Sequence, residues 1–169
     1  MAAAEKFGVK VNFHLEPYPG RTALKVRDDL KYILEQYGSS PAFYRDPARS
    51  NRPLYYVYDS YHTPKEEWRE LLSPGGRHTV RSTELDADFI SLYLSENDNN
   101  FIQESGFDGI YTYFASKTFT FASNPNNWPR IAQWAKENNK VFIPCVAPGY
   151  EDTWLRYHLG EGGSRGREY

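Results

Sequence analysis

The sequence predicts a parallel α/β domain, and three observations predict it. Five short runs rich in aromatic and β-branched residues recur along the chain, each ending in polar residues. The segments between them carry the apolar spacing of amphipathic helices. Strand alternating with helix is the order that builds a parallel sheet with right-handed crossovers.

The first run alternates Val9, Val11, Phe13 and Leu15 with Lys10, Asn12 and His14, then meets Glu16-Pro17-Tyr18-Pro19. Neither proline can donate to a ladder, so the strand ends near Glu16 and delivers Glu16 and Tyr18 to a surface. Thr22 then caps a helix to about Tyr37, with Val26, Leu30, Ile33, Leu34 and Tyr37 on one face and Gly38 as its stop. The proline-punctuated stretch from Ser39 to Pro53 reads as a solvated connection. The second run, Leu54 to Tyr58, delivers Asp59, Ser60, Tyr61 and His62. Thr63-Pro64-Lys65-Glu66 has the form of a capping box, opening a helix that buries Trp68, Leu71 and Leu72 and ends near Gly75-Gly76. After the third run, Phe89 to Leu94, Asn97 caps a short helix through Phe101, Ile102 and Ser105 that Gly106 closes. The fourth run, Gly109 to Phe114, leads to Ala115-Ser116, and Asn126-Asn127 opens a helix with Trp128, Ile131, Ala132 and Ala135 inward. The fifth run, Val141 to Val146, precedes Ala147-Pro148-Gly149-Tyr150-Glu151-Asp152, and the residues beyond read as irregular.

Two architectures hold that order. An open doubly wound sheet is complete with five strands, whereas a (β/α)8 barrel needs three more. Both bind ligands at the C-terminal ends of parallel strands, where Glu16, Asp59, His62, Ser116, Tyr150 and Asp152 fall.

The bulk numbers exclude several classes. A length of 169 residues with 40% hydrophobic content supports one domain with a real core. A net charge of -2 gives no global field for nucleic acid or an anionic membrane, and no run approaches the roughly 20 apolar residues of a membrane span. The single Cys145 excludes an internal disulfide and, inside an apolar run, reads as buried and inert. Aromatic content is 17%, with 14 tyrosines. Tyr32 and Tyr37 read as packing residues, whereas Tyr18, Tyr61 and Tyr150 sit at strand ends, where a ring stacks on a ligand while its hydroxyl bonds to it.

Motifs for other chemistry are missing. The glycines of the tail neither follow a strand nor open a helix, so nucleotide binding has no support. Ser60 and Ser116 lack the Gly-x-Ser-x-Gly elbow, and His14-Leu15-Glu16 with Cys145 lacks the second cysteine of a zinc deaminase. What remains is carboxylates, aromatic rings and a histidine at strand ends, the composition of a sugar site.

Four segments then carry a family resemblance. Phe13-His14-Leu15-Glu16-Pro17-Tyr18, Tyr56 to Tyr61, Gly106 to Ser116 and Phe142 to Tyr150 resemble, in one order, the endo-α-1,2-mannosidases of glycoside hydrolase family 99. The match runs from about Gly8 to Thr153 within a single partial catalytic domain over 1–169, with 154–169 as an irregular tail. The resemblance implies a partial (β/α)8 barrel, about strands three to seven of eight. It implies an oligosaccharide substrate, the glucosylated mannose arm of N-glycans, cut with retention through the substrate's own 2-hydroxyl. It also implies a lumenal Golgi location, as for animal members, and neither cofactor nor metal. The family's acid and base glutamates would lie beyond Tyr169, so no catalytic residue is expected in this chain, which alone should be inactive. Glu67-Trp68-Arg69-Glu70 mimics their spacing inside a helix and reads as a decoy.

Carried over residue by residue, the resemblance makes Glu16 and Tyr18 contacts to the sugar at the cleavage point and Tyr150 a hydroxyl donor near the reacting oxygens. Asp59, Tyr61, His62, Tyr111, Tyr113 and Asp152, with Tyr58, are further candidates for sugar contacts. The run after Thr153 departs from the family pattern. Two other readings fit the residues: a non-catalytic α-mannoside-binding module and a flavodoxin-like domain. Strand order separates the last, because a flavodoxin-like sheet places its first strand in the interior.

Overall fold

The structure, a computed structural model, describes residues 1–146. Along the chain lie α1 (Ala2–Lys6), β1 (Phe13–Leu15), α2 (Ala23–Tyr37), β2 (Arg45–Asp46), β3 (Arg52–Val57), α3 (Lys65–Leu72), β4 (Asp88–Tyr93), α4 (Asn99–Ser105), β5 (Gly109–Phe114), α5 (Trp128–Glu137) and β6 (Val141–Cys145). The sheet runs β1-β3-β4-β5-β6 in chain order with every neighbour parallel, and the two-residue β2 pairs antiparallel with β3. Each crossover adds its strand to the same side, which is the topology of a barrel arc. With β1 at an edge, the flavodoxin-like order is excluded.

Strand alternation gives the sheet two different faces. Phe13, Tyr55, Val57, Phe89, Tyr93 and Ile110 face the helices and pack with Val26, Leu30 and Ile33 of α2, Trp68, Leu71 and Leu72 of α3, Ile102 of α4 and Ile131 of α5. Leu54, Ile90, Leu92 and Tyr111 form a second cluster with Tyr44, Tyr56, Tyr58, Tyr113, Val141 and Ile143, and no helix of the described residues contributes to it.

Helix starts differ from the sequence expectation for one recurring reason. A 3-10 turn precedes α4 and another precedes α5, so the caps lie upstream of Asn97 and of Asn126. Ser95 accepts from the Asn97 N–H and forms a capping box with Asp98, and Asn124 accepts from the Asn126 N–H. At α3 the Thr63 capping box does not form. Thr63 is extended, Pro64 takes the cap position, and the Thr63 hydroxyl is buried with no partner among the described residues. Gly38 ends α2 with ordinary right-handed φ rather than a left-handed one. Its need for glycine is steric, since a Cβ there would lie 2.5 Å from the Leu34 carbonyl oxygen.

Other expectations are corrected by packing. Tyr32 is exposed, while Tyr37 does pack, stacked on Phe13 at 5.4 Å. Ala132 is exposed, and the inward stripe of α5 is completed by Trp134, which stacks on Tyr93 at 5.8 Å. Cys145 is exposed, at the end of β6 on an edge of the described sheet. The 39–53 stretch is built into the fold. Ala42 and Phe43 are buried, and Arg49 and Arg52 converge on the fully buried Asp88.

Candidate active site

The site starts from alternation in β1. Phe13 and Leu15 face the helices, so His14 faces the uncovered side, in register with Tyr56 of β3. Its Nε2 lies 2.8 Å from the hydroxyl of Tyr111 on β5. Strands β3 and β4 separate β1 from β5. In a flat sheet the two would stand about 14 Å apart, so this bond requires the uncovered face to be strongly concave.

Glu16 sits just past β1, where Pro17 has ended pairing. Its Oε1 accepts from His14 Nδ1 at 2.7 Å. In the neutral ring a carboxylate at Nδ1 places the proton there, and Nε2 then accepts from the Tyr111 O–H. Burial pushes the Tyr111 hydroxyl far above its ordinary value, which keeps it a donor. Tyr56 stands edge-on to Tyr111 at 5.1 Å, and Tyr58 lies 5.3 Å from the imidazole. Tyr113 bonds to Tyr58, whose hydroxyl burial again pushes up. Glu16, Tyr111 and Tyr113 are thus brought together through His14 and Tyr58.

Asp59, Tyr61 and His62 form a second group on the 3-10 turn after β3. Asp59 has φ 43, a left-handed conformation costly for a residue with a Cβ. Arg21 holds it there. Nη1 donates to the Tyr58 carbonyl at 2.8 Å and Nη2 to the Asp59 carbonyl at 2.5 Å. Arg21 is 9% exposed as a residue, and burial lowers its pKa against the opposing pull of Asp59. The Asp59 carboxylate accepts from the Tyr61 hydroxyl at 2.7 Å and lies 3.8 Å from His62 Nε2. Burial and the bond to Asp59 push the Tyr61 hydroxyl up to about 12.

Tyr18 turns away from Glu16. Its hydroxyl donates to Asp29 of α2 at 2.8 Å and is pushed up to about 12 by burial and that bond. With Pro17, Pro19, Gly20, Arg21, His62 and Thr63 it walls a groove of about 530 Å³, so Tyr18 and His62 share a surface beside the central cluster. Tyr150, Asp152 and the 154–169 tail lie outside the described residues. Glu67 and Glu70 serve the fold, accepting from the Ala23 and Arg77 N–H groups at 3.2 and 2.7 Å.

Sequence reasoning passed over His14, Tyr56 and Arg21. The signal for the first two was available, because alternation puts His14 and the even-numbered residues of β3 on one face. Arg21 bonds to carbonyls on a distant strand, which no local pattern encodes. Among the described residues no group of three His, Cys, Asp or Glu side chains converges to hold a metal ion. The concave face presents an acceptor carboxylate, phenolic hydroxyls and aromatic rings, which suit hydroxyl bonding and stacking on a sugar.

Comparison with known proteins gives the same direction. The profile of glycosyl hydrolase family 99 matches residues 1–168. A glycoprotein endo-alpha-1,2-mannosidase-like protein of Danio rerio is 48% identical over 158 residues, covering 92% of this chain and 36% of that protein. The glycoprotein endo-alpha-1,2-mannosidase of Mus musculus is 46% identical over 155 residues, covering 90% of this chain and 34% of that protein. A solved GH99 endo-alpha-mannosidase from Bacteroides thetaiotaomicron superposes with a TM-score of 0.86 at 46% identity, covering 94% of this chain and 49% of that one. The chain therefore spans about a third of the length of these animal relatives and about half of the bacterial structure.

Proposed function

The chain belongs to glycosyl hydrolase family 99, and we propose that it forms the substrate-orienting part of an endo-α-1,2-mannosidase. Its sequential parallel arc is a partial (β/α)8 barrel of that family, and we assign it to strands three to seven. In this reading the concave face takes an α-mannoside, and Glu16 receives a sugar hydroxyl at the cleavage point. The acid and base glutamates stand on a segment outside this chain, so cleavage with retention through the sugar's 2-hydroxyl needs that segment.

The observation that carries the reading is the fixed carboxylate at the end of β1. Glu16 is held by His14, which Tyr111 holds in turn, so one acceptor is oriented before substrate arrives. Asp59, Tyr61, His62 and Tyr113 extend the polar and aromatic wall, and Tyr150 and Asp152, outside the described residues, are kept as further candidates for sugar contacts. The substrate arm is the glucosylated mannose branch of N-glycans, by resemblance to animal members. A Golgi lumen location is proposed on the same resemblance, and immunolocalisation tests it. No helix of the described residues is long and apolar enough to cross a membrane.

Calorimetric titration with α-1,2-mannobiose tests the reading. Saturable binding weakened about tenfold in Glu16→Gln is expected, as for loss of a hydrogen bond to a charged group. Equal affinity of the two proteins would remove Glu16 from the site.

A further inference from the structure

We propose that His14 is a positioning residue, one imidazole that locks Glu16 and Tyr111 into a single hydrogen-bonded unit across the concave face of the sheet. The inference deepens the mannoside reading and rests on it for the identity of the ligand.

Three observations carry it. First, His14 uses both ring nitrogens on side chains from different strands, Nδ1 on Glu16 at 2.7 Å and Nε2 on Tyr111 at 2.8 Å. Second, aromatic rings fix the plane of the imidazole, with Tyr56 at 6.3 Å, Tyr58 at 5.3 Å and Tyr111 edge-on at 5.7 Å. Third, the Glu16 side chain is 65% exposed, so packing alone does not hold it and a rotamer-rich side chain would otherwise be lost to motion. Among the described residues His14 is its only hydrogen-bond partner.

Direction follows from the donor inventory. An ionised carboxylate accepts only, so Nδ1 donates to Glu16, and in the neutral ring the lone pair of Nε2 then accepts from the Tyr111 O–H. Proton positions therefore run Tyr111 O–H to Nε2, then Nδ1–H to Glu16. One Glu16 oxygen is committed to the imidazole, and the other is presented to a sugar hydroxyl. His14 acts through Glu16 and Tyr111 and need not touch the sugar.

Two substitutions separate its two bonds. The Asn amide nitrogen superposes on Nδ1, so His14→Asn keeps the donor to Glu16 and gives up Tyr111. The Gln amide superposes on Nε2, so His14→Gln keeps a partner for Tyr111 and gives up Glu16. The measurement pairs imidazole nitrogen NMR of the whole chain with titration by α-1,2-mannobiose. The expected spectrum is the neutral Nδ1–H tautomer, which Glu16→Ala converts towards the Nε2–H form. The expected affinities are close to wild type for His14→Asn and about tenfold weaker for His14→Gln, the loss of one charge-assisted bond. A wild-type spectrum of the Nε2–H tautomer overturns the proposal, and so do equal affinities for the two variants. If wild type binds no mannoside, the substrate reading falls, and the tautomer and its response to Glu16→Ala decide the His14 arrangement by themselves.

Discussion

Asp88→Asn tests how the 39–53 stretch is joined to the sheet. Asp88 opens β4, is fully buried, and accepts from Arg49 Nε at 2.6 Å and Nη2 at 2.9 Å as well as from Arg52 Nη2. The hydrogen bond and charge of Asp88 raise the pKa of Arg49, so the Arg49 guanidinium stays charged. Asparagine preserves the shape but removes the charge, and its NH2 faces guanidinium donors. Removing one member of a buried ion pair costs about 3–5 kcal/mol. The arginine side chains are 35% and 29% exposed, so water partly rehydrates them and the cost sits at the lower end, about 3 kcal/mol. With a urea slope of about 2 kcal/mol per molar, the midpoint should fall by about 1.5 M. Tryptophan fluorescence follows the transition, since Trp68 is fully buried against Phe107. A fall smaller than about 0.3 M would refute the argument that this pair carries buried charge.

Four further outcomes follow from the same geometry. Gly38→Ala should destabilise by about 1–3 kcal/mol because its Cβ would press on the Leu34 carbonyl, and a neutral result in the same urea assay would refute the clash. Tyr18 and Tyr61 are raised to about 12, so their neutral forms are favoured by folding. That stability is present below the unfolded tyrosine value near 10 and lost as pH rises towards 12, and Asp29→Asn should lower the Tyr18 midpoint in an absorbance titration. Cys145 should react with a thiol reagent in the native protein, and a requirement for denaturant would contradict its exposure. Arg21→Met should release the left-handed Asp59 turn and weaken mannoside binding about tenfold, and unchanged Asp59 amide shifts would sink this.

The five parallel strands were legible because each is a short apolar run closed by prolines, polar residues or a tight turn, and such runs need no partner to be recognised. Leu54 to Val57 is strand whichever neighbour it meets. The faces were half legible. Alternation separated Phe13 from His14, but only the register between β1 and β3 and the curvature that brings β5 close show that His14 meets Tyr111. Glu16 stood out through its prolines, whereas Arg21 looked like a turn residue because its partners are backbone carbonyls of a distant strand. β2 was invisible at two residues, since so short a pairing is imposed by β3 rather than by its own sequence. Ala132 was expected inward, whereas the inward stripe of α5 runs through Ile131, Trp134 and Ala135.

In the proposed reading this chain orients an α-mannoside through Glu16 while the acid and base lie on another segment. Proton NMR of the chain with a glucosyl-mannose substrate tests it directly. Saturable shifts of the His14 and Tyr111 resonances are expected, with no new anomeric signal over time. Release of a reducing sugar with retained configuration, by these residues alone, would contradict it.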